Sequence, residues 1–139
     1  MKRKILHGLI ITIIILISIN LISIFAQKPL GVIHVGYYRS DTIAPYNYWY
    51  EDQYCEWLNI RITMVDITND RRLLCTVEER DWENKTLIQT LYQGYLRKGD
   101  TTGYLYPSNS RNHIYIKLTE VDGYQTYFKI YIEGDQFSR

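Results

Sequence analysis

Hydrophobic and polar positions divide this chain into two unlike parts. Residues Leu9 to Ala26, "LIITIIILISINLISIFA", carry no charge and consist mostly of Ile and Leu, and "MKRK" opens the chain before them. A basic start followed by an apolar run is the pattern of a signal peptide or an N-terminal membrane anchor. As a helix the run would span about 27 Å, close to the hydrocarbon thickness of a bilayer, which fits an anchor. Thr12, Ser18, Asn20 and Ser23 within it, and the small Ala26 before Gln27, fit cleavage instead. Either fate leaves residues 1–26 as a targeting or anchoring segment and places 27–139 outside the cytoplasm.

The second part alternates with period 2. Pro29 stops any helix that would run on from the apolar segment. "LGVIHVGYY" (30–38) then predicts a strand with Ile33, Val35 and Tyr37 on one face. Pro45 interrupts the connection after it. Leu58, Ile60, Ile62 and Met64 alternate with Asn59, Arg61, Thr63 and Val65, as on a half-buried strand. "DITNDR" supplies turn residues, and Leu73, Cys75 and Val77 form the next inward row. In "TLIQTLYQGYLRKGD" (86–100) the spacing of Leu87, Leu91 and Tyr95 suits a helix. Thr86, Thr90, Tyr92 and Gly94 suit a strand, which agrees better with the surroundings. Ile114, Ile116 and Leu118 alternate again, as do Tyr124, Thr126, Phe128, Ile130 and Ile132. Asp122-Gly123 between those two runs predicts a tight hairpin, because a primed turn needs positive φ at both central residues.

Six or seven strands in a body of about 110 residues, with turn residues between them, predict an all-β fold. The expected form is an immunoglobulin-like or related antiparallel β-sandwich, with a small closed barrel as the alternative. No segment of the body reads as an amphipathic helix, and no internal repeat is present.

Charge narrows the partners. The whole chain is +1, but Lys2, Arg3 and Lys4 precede the body, which carries 13 basic and 15 acidic residues, a net −2. No basic stripe is available to displace phosphate counterions, so nucleic acid is not an expected partner. The two cysteines, Cys55 and Cys75, both fall in the exported part. An isolated pair in an oxidising compartment suggests one disulfide, worth about 3 kcal/mol for a loop of this size in the chain-entropy model. Strand parity complicates it. Cys55 and Trp57 fall opposite the Leu58–Met64 face unless a bulge intervenes.

Candidate chemistry is sparse. His34 and His113 are far apart in the body and stand in no ligand-spaced motif, and there is no nucleophile elbow or phosphate loop. "EERDWE" (78–83) and "YED" (50–52) are acidic but lack the alternating oxygen ligands of a calcium loop. No enzyme activity, metal or cofactor is therefore expected. "NKT" makes Asn84 a candidate glycosylation site on the surface between two strands.

All 14 tyrosines lie after residue 36, and "YNYWY" (46–50) concentrates them. One reading puts Tyr46, Tyr48 and Tyr50 on the outer face of an edge segment with Trp49 in the core. The other makes Tyr46, Tyr48, Trp49 and Tyr50 an aromatic platform for sugar rings or a partner protein.

Two function classes follow, both non-enzymatic. The first is a structural or adhesive surface protein: a filament, pilus-like fibre or envelope subunit that self-associates or joins another envelope protein. Its strand around Ile33, Val35 and Tyr37 could complete a neighbour's sheet. "KRKILHGLIIT" also resembles the processing region of archaeal type IV pilins. That resemblance implies a cut after Gly8 that leaves Leu9–Ala26 as a filament core helix, although Ile13 stands where those proteins carry an acidic residue. The second class is a secreted or membrane-tethered module that binds carbohydrate or another envelope protein through the aromatic surface, with residues 9–26 as its possible membrane contact.

Overall fold

The computed structural model describes residues 31–54 and 56–138. The apolar run Leu9–Ala26, the cut points after Gly8 and Ala26, and Cys55 lie outside the described residues. No helix among the described residues is long and apolar enough to cross a membrane.

Seven strands follow one another: β1 (Val32–Ile43), β2 (Tyr48–Gln53), β3 (Trp57–Ile67), β4 (Leu73–Arg80), β5 (Leu87–Leu96), β6 (His113–Thr119) and β7 (Thr126–Phe137). A single 3-10 turn, Thr68–Asp70, joins β3 to β4. The strands form two antiparallel sheets, ordered β1-β7-β3 and β2-β6-β4-β5. Their inner faces meet in one core that includes Trp57, Ile60, Ile62 and Met64 of β3, Ile114, Ile116 and Leu118 of β6, and Phe128, Ile130 and Ile132 of β7. The residue 86–100 ambiguity resolves as strand β5.

The sandwich is as expected, but its strand order is not that of an immunoglobulin domain. In that fold the first two strands share a sheet. Here β1 and β2 lie in opposite sheets, and β7 sits between β1 and β3. Consecutive strands cross from sheet to sheet everywhere except at the β4–β5 hairpin and in the return from β5 to β6. That return, residues 97–112, runs beside β3, bridging Thr101 to Thr63 and Leu105 to Ile60. This is the order of a jelly roll, with the return segment in the position of an eighth strand.

The expected hairpin at Asp122-Gly123 is therefore a crossover. β6 pairs with β2 and β4, whereas β7 pairs with β1 and β3. Gly123 does take a positive φ of 83°, but Asp122 does not join it, so the turn lacks the two positive φ values of a primed hairpin. The parity problem at Trp57 resolves through a bulge between Trp57 and Asn59, which turns Trp57 inward with Ile60. Gly134 of β7 faces that bulge. A Cβ there would fall 2.1 Å from the Asn59 carbonyl oxygen, so only glycine fits.

Two buried carboxylates close the ends of the sandwich. Glu79 continues the inward row Leu73, Cys75, Val77 and is wholly buried. Its Oε2 accepts from Gln89 Nε2 at 2.7 Å and the Ser108 amide at 2.9 Å. Its Oε1 accepts from Ser108 Oγ at 2.8 Å, the Asn109 amide at 3.1 Å and Asn112 Nδ2 at 2.6 Å. Burial alone would raise this carboxyl, but donors from Gln89, Ser108 and Asn112 outweigh it and bring the pKa to about 2. Glu120, after β6, likewise accepts from the amides of Tyr46, Asp122 and Gly123 at 3.0, 2.9 and 2.8 Å. Burial opposes its ionisation, and those amides hold its pKa below the usual range.

A lowered folded-state pKa stabilises the fold above the unfolded value and is lost as pH falls through the folded one. Glu79 should therefore contribute fully above pH 4.5 and lose its contribution between 4.5 and about 2. Glu79→Gln turns an amide N–H2 toward existing donors and should cost about 3 kcal/mol at neutral pH. Urea midpoints of both chains at pH 7 and pH 3 check this: the gap between them should narrow at the lower pH. Equal midpoints at pH 7 would show that the carboxylate does not hold the return segment.

Candidate functional site

The outer face of the β2-β6-β4-β5 sheet is aromatic where β2 forms its edge. Register places Tyr50 opposite Lys117, and Lys117 opposite Thr76 of β4; Asp52 faces Tyr115, which faces Glu78. The Tyr50 ring stacks on Tyr115 at 5.2 Å and 22°. Arg80 lies 4.1 Å from the Tyr115 ring, and Lys117 Nζ lies 4.5 Å from the Tyr48 ring. Tyr48 and Tyr50 stand side by side at 6.2 Å. Lys117, Tyr48, Tyr50, Tyr115 and Arg80 thus form one continuous row, and much of its π surface is engaged within the protein. Each cation–π contact at such a wet site is worth about 0.5–1 kcal/mol. At the row's end Asp52 binds His113 Nδ1 at 2.7 Å and Lys85 Nζ at 2.8 Å. Burial works against the Asp52 carboxylate, yet Lys85 and His113 hold its pKa below the ordinary value.

Of the four aromatic residues expected on one surface, the structure brings together two. Tyr48 and Tyr50 are exposed on the face. Trp49 points inward and meets Phe128 edge-on at 5.3 Å. Tyr46 is 76 % exposed but stands apart, leaning over Gly123 in the β6–β7 connection. Tyr115, Lys117 and Arg80 complete the row. They were not legible as partners, because only the sheet order makes them neighbours of β2.

Tyr46 occupies a strained position. Ala44 to Asn47 form a turn closed by the Asn47 amide on the Ala44 carbonyl at 3.1 Å, with Pro45 second and Tyr46 third. Tyr46 has φ +57°, where a turn of this kind calls for Gly or Asn. A left-handed conformation costs a bulky L-residue about 1–2 kcal/mol. The Glu120 carboxylate holds it there through the Tyr46 amide.

The expected donor strand is β1. It pairs with β7 without a break, from Val32 opposite Phe137 to Ile43 opposite Thr126. Val35 and Tyr37 face the core half-buried, whereas Ile33 is exposed. Ile43 is the one β1 side chain among the sixteen buried hydrophobics of the described residues. Polar contacts add to this hold. Arg39 makes a bidentate bond to Glu51 of β2, at 2.8 and 3.0 Å. On the outer face His34 Nδ1 lies 3.0 Å from Asp135 Oδ1, and Nε2 lies 3.3 Å from Glu133 Oε2. A neutral imidazole has one N–H and can donate to one carboxylate; the imidazolium donates to both. From β3, Arg61 also binds Glu133 and rests on the Tyr104 ring, and Asn59 binds Asp135. Bonds to Asp135 and Glu133 raise the His34 pKa above 6.5.

The remaining candidates separate. Cys75 is a free thiol, fully buried in the inward row of β4, so the expected disulfide is not formed at this sulfur. Burial pushes the thiol up to about 12, and it serves as apolar core surface. Asn84 is exposed in the β4–β5 turn, where its Oδ1 accepts from the Thr86 amide and hydroxyl. Among the described residues no group of three or more His, Cys, Asp or Glu side chains could hold a metal ion.

The His34 clasp should be complete below pH 6.5 and lost as pH rises through the raised folded value. Imidazole NMR shifts should place the His34 transition above 6.5, and Asp135→Asn should lower it. In His34→Gln the fall in unfolding midpoint above pH 6.5 should flatten. A His34 transition at or below 6.5 would show that the clasp does not form in solution.

No protein-family model matches the chain, and no curated protein matches it. Among solved structures it is similar to PirA, at 11 % identity and a TM-score of 0.44, over 81 % of this chain and 99 % of that one. It is also similar to a structure from disulfide-linked pili, the Bacillus endospore appendages, at 13 % identity and 0.41, over 81 % and 95 %. A third is the CBM36-1 domain of a multidomain xylanase from the hindgut metagenome of Trinervitermes trinervoides, at 11 % and 0.41, over 74 % and 95 %. With scores below 0.5, none of these likenesses bears on function here.

Proposed function

We propose that this chain is a non-enzymatic structural subunit of an extracytoplasmic assembly, exported or tethered by residues 1–26, whose body 27–139 self-associates. One observation carries the reading. β1 is a twelve-residue edge strand that pairs, among the described residues, only with β7 and gives the core a single fully buried side chain. A long edge is a template for another chain, and natural monomers blunt theirs with bulges, prolines or short length. β1 has neither bulge nor proline between Val32 and Ile43, and its inward-row charge, Arg39, which elsewhere would guard an edge, is neutralised by Glu51.

The tyrosine row supports a second reading, a module for carbohydrate or an envelope partner. The side-by-side exposure of Tyr48 and Tyr50 favours it. It ranks second because Lys117 and Tyr115 already engage those rings.

Light scattering and electron microscopy of the natively exported chain, extracted in mild detergent, separate the two. A structural subunit should form species that grow with concentration. A monodisperse monomer at high concentration, with β1 intact by mass, would sink the first reading. Glycan binding lost in a Tyr48→Ala, Tyr50→Ala variant would then establish the second. The same intact mass reports whether the chain is cut after Ala26, after Gly8 or not at all, and whether Asn84 carries a glycan.

A further inference from the structure

We infer that β1 is exchanged between copies, so that the first strand of one chain occupies the place beside β7 in another. The inference rests on the self-association proposed above and names its joint. Three independent features of the fold converge on it.

The body is nearly complete without β1. Among the described residues, fifteen of the sixteen buried hydrophobics belong to the chain from Trp57 onward. The apolar side chains that β1 itself gives the core are therefore Ile43 and the half-buried Val35 and Tyr37, and the rest of its hold is the ladder to β7.

The place beside β7 is specific for this strand. Gly36 leaves room for the Tyr131 ring, whose hydroxyl lies 2.0 Å from where a Cβ would be. Tyr38 packs against the same ring at 4.8 Å. Glu133 and Asp135 receive His34, and Glu51 receives Arg39. A strand of another sequence would leave these groups unmatched, and an identical copy supplies all of them. The second copy is therefore the partner that fits.

The hinge is short and loaded. Only Ala44, Pro45, Tyr46 and Asn47 separate β1 from β2, and Tyr46 holds φ +57° within that turn. Short hinges under strain favour domain exchange, because the hinge extends when the strand leaves. Extension would return Tyr46 to the β region and keep Ala44 in the extended conformation that a following proline prefers. The Glu120 carboxylate opposes this by bonding the Tyr46 amide, and so acts as the latch of the closed form.

The test co-expresses two full-length, differently tagged chains in a Cys55→Ser background. One carries Ser40→Cys and the other Lys129→Cys, which face each other in the β1–β7 register. A short bis-maleimide should then give a conjugate bearing both tags. Tyr46→Asn, which tolerates the left-handed turn, should lower its yield about tenfold. Glu120→Gln, which weakens the latch, should raise it. A chain carrying both cysteines serves as the control for reaction within one copy. Assemblies that contain both tags but yield no mixed conjugate, while that control reacts, would overturn strand exchange and leave the structural-subunit reading standing. Absence of both assembly and mixed conjugate would overturn the two together.

Discussion

A strand order that sends most consecutive strands to opposite sheets makes tight hairpins scarce. Its connections carry backbone amides past the ends of the sandwich, where neither sheet can pair them, and such amides are expensive to leave unmet. This chain meets them with carboxylates. Glu79 gathers the Ser108 and Asn109 amides and the Asn112 side chain, which fixes the return segment before β6. Glu120 gathers Tyr46, Asp122 and Gly123, which ties the β1–β2 turn to the β6–β7 crossover. Neither needs a cation, since several aimed donors stabilise a buried anion as a counter-charge would. The apolar core sets the distance between the sheets, and these two anions set how their ends are joined.

What the residues revealed in advance was which way side chains face. Alternation placed Ile60, Ile62 and Met64, then Ile114, Ile116 and Leu118, in the core, because a period-2 pattern reports the pleat directly. It was silent about neighbours. Asp122-Gly123 between two alternating runs is as compatible with a crossover as with a hairpin, since both need a reversal and only tertiary contacts choose between them. The same gap hid the tyrosine row. Tyr48 and Tyr50 were visible, but Tyr115 and Arg80 join them only because β6 and β4 follow β2 in the sheet. Two further features are readable in the sequence. Glu79 falls in phase with Leu73, Cys75 and Val77, so its burial was implied. Pro45-Tyr46 between two strands marked a turn with an ill-suited third residue.

The first strand differs in kind from the rest of the fold. β3, β4, β6 and β7 are held by side chains that cannot leave the core without exposing apolar area, a loss of about 1.5–3 kcal/mol for each large residue. β1 is held by its ladder to β7, the buried Ile43, the packing of Tyr38 on Tyr131, one bidentate ion pair and a histidine between two carboxylates, with Val35 and Tyr37 only half-buried. Polar contacts of this sort exchange readily for water, and an edge strand with a single fully buried anchor, Ile43, belongs to the low-stability end of a structure. Specificity is nevertheless retained, through the Gly36–Tyr131 fit and the placement of each charge. Weak retention with strict register is a poor way to build an isolated domain. It suits a joint: a strand that leaves its own sheet at small cost can reform the same twelve pairs in an identical one. Closed and exchanged forms then differ mainly at the hinge, where Tyr46 favours release and Glu120 favours retention.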